Sequence, residues 1–317
     1  MTKNKNLKTR LHPRNKNREP YDLTALITAN PELKKYVKPN KLGEDSIDFS
    51  NPKAVKLLNK ALLHHYYGIE NWEFPDTNLC PAIPGRADYM HHIADLLASN
   101  NNNRIPKGNH VVCFDIGVGA TAIYPILGIT EYGWNFIASD IDEKSIKAAK
   151  QIVSSNSALQ KHVSFQHQKN PRKIFEGIVD LSEKIDVTIC NPPFHASLEE
   201  AIKGTKRKIK NLSGKTEINP TLNFAGITNE LVCEGGEYAF ITNMIYESKK
   251  ISKNCYWFTT LVSKESNLKG IYKLLKKIET VQFKTISMGT SNKSTRIVAW
   301  TFLTEEEQKK WIETRWP

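Results

Sequence analysis

The sequence predicts a doubly wound α/β domain over residues 107–317, preceded by a helical extension at 21–106 and a basic, flexible arm at 1–20. Three observations predict it. From Val111 onward, short apolar runs alternate with amphipathic segments, the pattern of repeated βαβ units. The first run opens into the glycine-rich Asp115-Ile116-Gly117-Val118-Gly119, and the second ends on an acid, Asp140. The fourth ends in Asn191-Pro192-Pro193-Phe194. Open α/β sheets bind their ligands at the carboxyl ends of the strands, where all three features fall.

Residues 1–20 lack apolar periodicity and read as an arm that orders on binding. Asn51 as N-cap and Pro52 as first helical residue start a helix to Tyr67, with Val55, Leu58, Leu62 and His65 on one stripe, and Gly68 ends it. The proline-rich stretch 75–86 is an extended loop into a second helix at 87–98, and the Asn100–Asn103 tract marks a boundary. Strands are expected at Val111–Ile116, Phe136–Ile141, Val163–His167 and Ile185–Cys190, with a helix at Ser145–Val153. Further strand-like runs are Glu237–Thr242, Tyr256–Val262, Val281–Met288 and Ile297–Leu303. With few helices between them, these suggest an antiparallel edge near the C-terminus.

Charge is concentrated rather than spread. Residues 1–20 hold Lys3, Lys5, Lys8, Arg10, Arg14, Lys16 and Arg18 against Glu19, and residues 203–215 hold Lys203, Lys206, Arg207, Lys208, Lys210 and Lys215 with no acid. Together these clusters equal the formal net charge of +12. Localised positive charge on an otherwise balanced chain suits a polyanion, because each neutralised phosphate releases a condensed counterion. No apolar run approaches the ~20 residues that span a bilayer, and the basic N-terminus has no hydrophobic signal region. Cys80, Cys113, Cys190, Cys233 and Cys255 are scattered, with no C-x-x-C pair, so reduced thiols in a soluble cytoplasmic protein are expected. His64-His65 and His91-His92 are adjacent pairs that diverge on a helix, and no metal is expected.

Gly117 and Gly119 let a ligand approach the backbone, and Asp140 is placed to accept hydrogen bonds from ribose hydroxyls. Asp115 argues against a dinucleotide pyrophosphate, which prefers a helix N-terminus free of negative charge. S-adenosylmethionine carries a sulfonium and an ammonium and no phosphate, so the same acid favours it. Asn191 offers a side-chain carbonyl, Pro192 a backbone carbonyl, and Phe194 a flat ring. Two acceptors and a stacking plane suit a planar group bearing an NH₂, either the amine of adenine or a side-chain amide.

In this order, strand–Asp-x-Gly-x-Gly, strand–acid and strand–Asn-Pro-Pro-Phe, the chain resembles the class I S-adenosylmethionine-dependent methyltransferases acting on amino nitrogens. More narrowly it is similar to the bacterial large-subunit ribosomal RNA adenine-N6 methyltransferase family often called RlmF. The segments that carry the likeness include His12-Pro13-Arg14-Asn15, Ser46–Pro52, Pro84-Gly85-Arg86-Ala87-Asp88-Tyr89, Asp115–Pro125, Asn191–His195, Asn223-Phe224-Ala225-Gly226, Gly235-Gly236-Glu237, Trp257–Lys264 and Ala299-Trp300-Thr301-Phe302, so it runs from about residue 12 to 303. The resemblance implies a Rossmann-like class I methyltransferase fold with a mostly parallel seven-stranded sheet and an antiparallel C-terminal strand. It implies methylation of adenosine N6 at position 1618 of 23S ribosomal RNA, on free RNA or a large-subunit assembly intermediate, by a monomer. It further implies that Arg86 reaches the carboxylate of the cofactor's methionine part, Gly117 lines the site, Asp140 holds the ribose, Asn170 contacts the adenine, and Asn191 bridges cofactor and target. RNA contacts are expected at Arg10, Arg14, Lys203, Lys206, Arg207, Lys208 and Lys210. Three alternatives stand beside this reading: a protein-glutamine N5 methyltransferase of the release-factor type, a non-catalytic RNA-binding assembly factor with a methyltransferase shell, and a DNA adenine methyltransferase, for which no sequence-reading domain is evident. Phe194, where the release-factor type usually has tyrosine, and the two basic clusters count against the first.

Overall fold

The computed structural model describes residues 11–40, 42–200, 202, 228–289 and 295–316. The N-terminal part contains α1 (Leu23–Ala29), a small antiparallel pair β1 (Val37–Pro39) and β2 (Asp45–Ile47), and the long helices α2 (Pro52–Tyr67) and α3 (Ile83–Ala98). Helix α2 has the ends its sequence specifies: the Asn51 side chain accepts from the amides of Lys53 and Ala54, and Gly68 closes it in the left-handed conformation. Helix α3 starts four residues earlier than expected, at Ile83, with Pro84 in its first turn, where a missing N–H costs nothing.

The main sheet contains β3 (Val112–Ile116), β4 (Asn135–Asp140), β5 (Val163–His167), β6 (Ile185–Cys190), β7 (Cys255–Val262), β8 (Gln282–Ser287) and β9 (Arg296–Thr301), in the order β5-β4-β3-β6-β7-β9-β8. Neighbours from β5 to β7 are parallel, and β9 runs antiparallel to both β7 and β8. The antiparallel strand is therefore the last in the chain, but it lies one place in from the edge rather than on it. Burial explains the placement. Ile297–Trp300 is a continuous apolar run that needs cover on both faces, whereas β8 is partly exposed along its length and tolerates an edge.

Helices α4 (Ile123–Tyr132) and α5 (Glu143–Ser154) cover one face of the sheet, and α6 (Gly236–Ser248) and α7 (Leu268–Lys277) the other. Alternate strand residues feed the two layers, Cys113, Trp257 and Ala299 on the first face and Phe114, Phe258 and Trp300 on the second. The expected strand at Glu237–Thr242 is instead the start of α6. Its apolar residues continue as Ile241, Met244 and Ile245, a helical stripe, and Gly235 and Gly236 take positive φ to turn the chain into it.

The helical extension at 21–106 does not pack on its own, since Leu58, Leu62, Trp72, Tyr89 and Ile93 share one core with Cys113, Leu127 and Trp257. The indole N–H of Trp72 donates to the Thr121 carbonyl at 2.9 Å, and that of Trp134 to Pro106 at 2.9 Å, across the expected boundary. Nor is the whole of 1–20 a flexible arm. From Leu11 onward it lies on α3: the His12 amide donates to buried Asp88 at 2.6 Å, and the Asn15 side chain to Pro84 O and Asp88 at 2.9 and 3.1 Å. The absence of periodicity here reflects anchoring by polar side chains rather than by an apolar face. Trp72 and Phe74 are buried and meet edge to face at 4.8 Å, a packing role. Among the described residues, no helix is long and apolar enough to cross a membrane.

Helix α8 (Glu305–Arg315), opened by a Thr304–Glu307 capping box, was not evident in the sequence. It closes over the amino end of β6, where Asp186 collects its donors, as described below.

Candidate active site

Register brings the site together. Ile116 of β3 stands opposite Ser139 of β4 and Cys190 of β6. The next residue along the chain from each therefore stands at the same edge of the sheet: Gly117, Asp140 and Asn191. Gly117 and Gly119 both have positive φ, +77° and +64°, which side chains rarely adopt. The turn they form is held by the amides of Gly117 and Val118, which donate to Ser139 O at 2.9 Å each, and by that of Gly119, which donates to Asp140 Oδ2 at 2.9 Å. The second Asp140 oxygen accepts from the Asp142 amide at 2.9 Å. No described atom lies within 4 Å of where a Cβ on Gly117 would stand, so the turn borders open space.

Asp115 is fully buried, and neither carboxylate oxygen has a hydrogen-bond partner among the described residues. Burial pushes its carboxyl well above the usual range, Asp140 pushes the same way, and the Arg86 guanidinium pulls it back. Burial also raises Asp140. An unpartnered buried carboxylate is costly to keep, and one beside a glycine cradle is what a ligand ammonium would satisfy. The donor set thus fits the cationic methionine part of S-adenosylmethionine. Arg86, on the first turns of α3, lies over the ring of Tyr124 at 5.8 Å. Burial holds the Tyr124 phenol far above its normal range.

Asn191 carries the second orphan: its side-chain Oδ1 is buried with no partner among the described residues. Pro192 is buried, and Pro193 and Phe194 are half-buried. The chain just beyond is pinned, with the His195 amide donating to Leu231 O at 3.1 Å and the Cys233 amide to His195 O at 3.0 Å.

Other expected residues are placed differently. Asn170 is exposed, and its side chain caps its own turn by accepting from the Arg172 amide at 3.0 Å. Gln168 is the buried polar residue there, its amide donating to Asp140 O at 2.9 Å. Arg14 is engaged by α3, donating to His91 O at 2.9 Å and to Asp95 at 2.7 Å, so its charge is already balanced. Arg10, Lys203, Lys206, Arg207, Lys208 and Lys210 lie outside the described residues.

Sequence reasoning missed three contributors. Tyr124 is reached by Arg86, Tyr89 Oη accepts from the Cys190 amide at 3.3 Å, and Glu230 accepts from Asn78 and the Leu79 amide at 3.1 Å each, its Oε1 coming within 3.8 Å of a Cβ position on Gly119. Tyr89 carried a signal, since it sits one helical turn past Arg86 in the Pro84–Tyr89 segment. Glu230 carried none, because only the fold brings it to the glycine turn.

A family model described as RNA methyltransferase matches residues 5–304. The chain is 53% identical over 309 residues to the "Ribosomal RNA large subunit methyltransferase F" of Cytophaga hutchinsonii, covering 98% of this chain and 96% of that one. It is 54% identical over 310 residues to the protein of the same name from Flavobacterium johnsoniae, covering 97% and 98%. Among solved structures, the catalytic domain of hMettl16 in complex with MAT2A 3′UTR hairpin 1 superposes with a TM-score of 0.78 at 26% identity, over 92% of this chain and 96% of that one. These likenesses set the protein-glutamine alternative aside, and the chain belongs to the RNA methyltransferase family.

Proposed function

We propose that this enzyme transfers a methyl group from S-adenosylmethionine to the exocyclic N6 of one adenosine in large-subunit ribosomal RNA, the adenosine at position 1618. The observation that carries the reading is the pair of buried, unpartnered acceptors at one sheet edge, Asp115 for a cation and Asn191 Oδ1 for an amine. When bound, the cofactor supplies an electrophilic methyl on a sulfonium. Arg86 holds its carboxylate, Asp115 its ammonium and Asp140 its ribose, with Asn170 or the neighbouring Gln168 at the adenine.

The protein's own task is to make a poor nucleophile attack. The N6 lone pair of adenine is delocalised into the ring. When Asn191 Oδ1 and the Pro192 carbonyl accept the two amine hydrogens, the nitrogen pyramidalises and its lone pair is aimed. These bonds tighten as positive charge grows on nitrogen, so they favour the transition state over the ground state. Holding donor and acceptor in line contributes up to ~7–11 kcal/mol, and stacking of the base on Phe194 ~1–3 kcal/mol. The product ammonium is acidic enough to lose its proton to water, so no strong base is required. The target adenosine has to be flipped out or presented in a loop to reach the pocket. Incubation with labelled cofactor and either 23S ribosomal RNA, duplex DNA or a release factor tests the reading. Label confined to N6-methyladenosine in the RNA is expected, and absence of label from it defeats the proposal.

Asp115 makes cofactor binding depend on pH. Burial and Asp140 raise its folded-state pKa, so its contribution to stability is lost as pH rises through the raised value. Cofactor affinity runs the other way, because the ammonium needs the ionised form. Calorimetric titration with S-adenosylhomocysteine in buffers of different ionisation enthalpy is expected to show release of up to about one proton per ligand, with affinity rising with pH. Asp115→Asn removes this dependence, weakens binding at least ~10-fold, and raises the melting temperature of the free protein at pH 8. Binding without proton release would take Asp115 out of the site.

The 203–215 cluster and Arg10 are read as phosphate-binding, and the enzyme as a cytoplasmic monomer. Neutralising Lys203, Lys206, Arg207, Lys208 and Lys210 together is expected to flatten the salt dependence of RNA binding by roughly 0.7–0.9 of a unit of slope for each phosphate that is no longer neutralised. An unchanged slope would show that this segment does not touch RNA.

A further inference from the structure

We infer that Tyr89, acting with Thr259 and Thr188, is the positioning element for the Asn191–Phe194 loop and sets where the Asn191 carbonyl stands. The inference rests on the reading of Asn191 as the group that holds the target amine.

It starts from a split in the sheet. On one side β6 pairs with β3 as far as Cys190, its last residue. On the other, its pairing with β7 stops at Val187↔Trp257. The last three residues of β6 are therefore laddered on one side only, just before the strand delivers Asn191. Side-chain hydroxyls fill the gap. The Thr259 amide donates to Thr188 Oγ1 at 3.0 Å, and Thr259 Oγ1 donates to Thr188 O at 2.6 Å. Tyr89 Oη lies 2.8 Å from Thr259 Oγ1 and accepts from the Cys190 amide at 3.3 Å.

The hydrogens in this network have only one arrangement. The Thr259 hydroxyl donates its one hydrogen bond to Thr188 O, so at the 2.8 Å contact the Tyr89 phenol must be the donor. The chain runs Cys190 N–H to Tyr89 Oη–H to Thr259 Oγ1–H to Thr188 C=O, a ring of bonds around the end of β6. Tyr89 is fully buried, and burial keeps its phenol protonated far above the ordinary range, so it remains a donor at any working pH. All members are buried, which makes each bond costly to leave unmade.

Tyr89 also ties the loop to the cofactor side. Its ring meets Tyr124 edge to face at 5.5 Å, and Tyr124 lies under Arg86. Arg86 and Tyr89 are three residues apart on α3 and share one face of it. One rigid helix thus places both the cofactor clamp and the support under the amine-holding residue. Misplacement of reacting groups by ~1 Å costs on the order of 10²-fold in rate, which is the scale on which this support acts.

The test compares wild type with Tyr89→Phe, Thr259→Val and Thr259→Ser. It measures single-turnover methyl transfer to in-vitro transcribed 23S ribosomal RNA at saturating cofactor, the Kd for S-adenosylhomocysteine, and the thermal midpoint. Tyr89→Phe and Thr259→Val are expected to slow transfer ~10–100-fold with Kd within about three-fold. Thr259→Ser, which keeps the hydroxyl, is expected to recover the rate to within about five-fold of wild type. Wild-type rates in Tyr89→Phe or Thr259→Val would overturn the inference. So would a Thr259→Ser enzyme as slow as Thr259→Val, or a loss carried equally by Kd, because both indicate packing alone. If Tyr89→Phe does not fold, the Thr259 pair decides. A wild-type enzyme that transfers no methyl to this RNA defeats the substrate reading and this inference with it, whereas active wild type beside unaffected variants defeats only the positioning role.

Discussion

Asn191→Ala is expected to bind cofactor within a few-fold of wild type and to lose methyl transfer by about 10²–10³-fold or more. The substitution removes the buried Oδ1 that has no partner among the described residues and leaves Arg86, Asp115 and the glycine turn untouched. The loss should appear in the single-turnover rate at saturating RNA and cofactor, since the bond to the amine strengthens as charge develops on nitrogen. Asn191→Asp keeps an acceptor but brings a third carboxylate to the edge that holds Asp115 and Asp140, so an intermediate rate is expected. Unchanged turnover in Asn191→Ala would remove Asn191 from the mechanism.

The largest effect on stability is expected from Asp186→Ala, at the opposite end of the same strand. Asp186 is fully buried and accepts five hydrogen bonds. They come from the Val112 amide at 2.7 Å, the Trp311 and Trp316 indoles at 2.8 Å each, and Arg315 through Nε at 3.0 Å and Nη2 at 2.6 Å. Tyr256 packs against both indoles, with ring centroids 5.9 and 4.8 Å away. Removing the carboxylate strands a half-buried guanidinium and three neutral donors, for which about 3–5 kcal/mol is the expected cost. At roughly 2–4 °C per kcal/mol, the melting temperature should fall on the order of 10 °C. Calorimetry checks this, and a shift under ~2 °C would show that α8 is held by apolar packing alone. At low temperature the folded variant should still transfer methyl, because Asn191 is reached from the other end of β6.

Much of the site was legible locally. Asp115, Gly117, Gly119 and Asp140 follow their strands directly, and Asn191-Pro192-Pro193-Phe194 ends an apolar run. Strand ends can be read from apolar periodicity, and a parallel sheet then aligns them without further information. The α2 helix was legible for the same reason, since Asn51, Pro52 and Gly68 act on their own neighbours. Glu237–Thr242 was misread because a short apolar stretch does not tell strand from helix until the following turns are included. The anchoring of Leu11–Arg18 was missed because polar side chains hold it to α3 over a sequence distance of more than seventy residues.

The sequence by itself marked the strands from Val111 to Cys190, the glycine turn, the acids and the Asn191-Pro192-Pro193-Phe194 motif, each of which is set within a few residues. Tertiary structure alone decided that the antiparallel strand inserts one place from the edge, that Asp186 gathers donors from the last helix, and that Tyr89 and Thr259 close the split beneath Asn191. The last two depend on hydrogen bonds between residues 71 to 170 positions apart. Such partners satisfy one another only after burial has removed water as the alternative, and no local pattern records that choice.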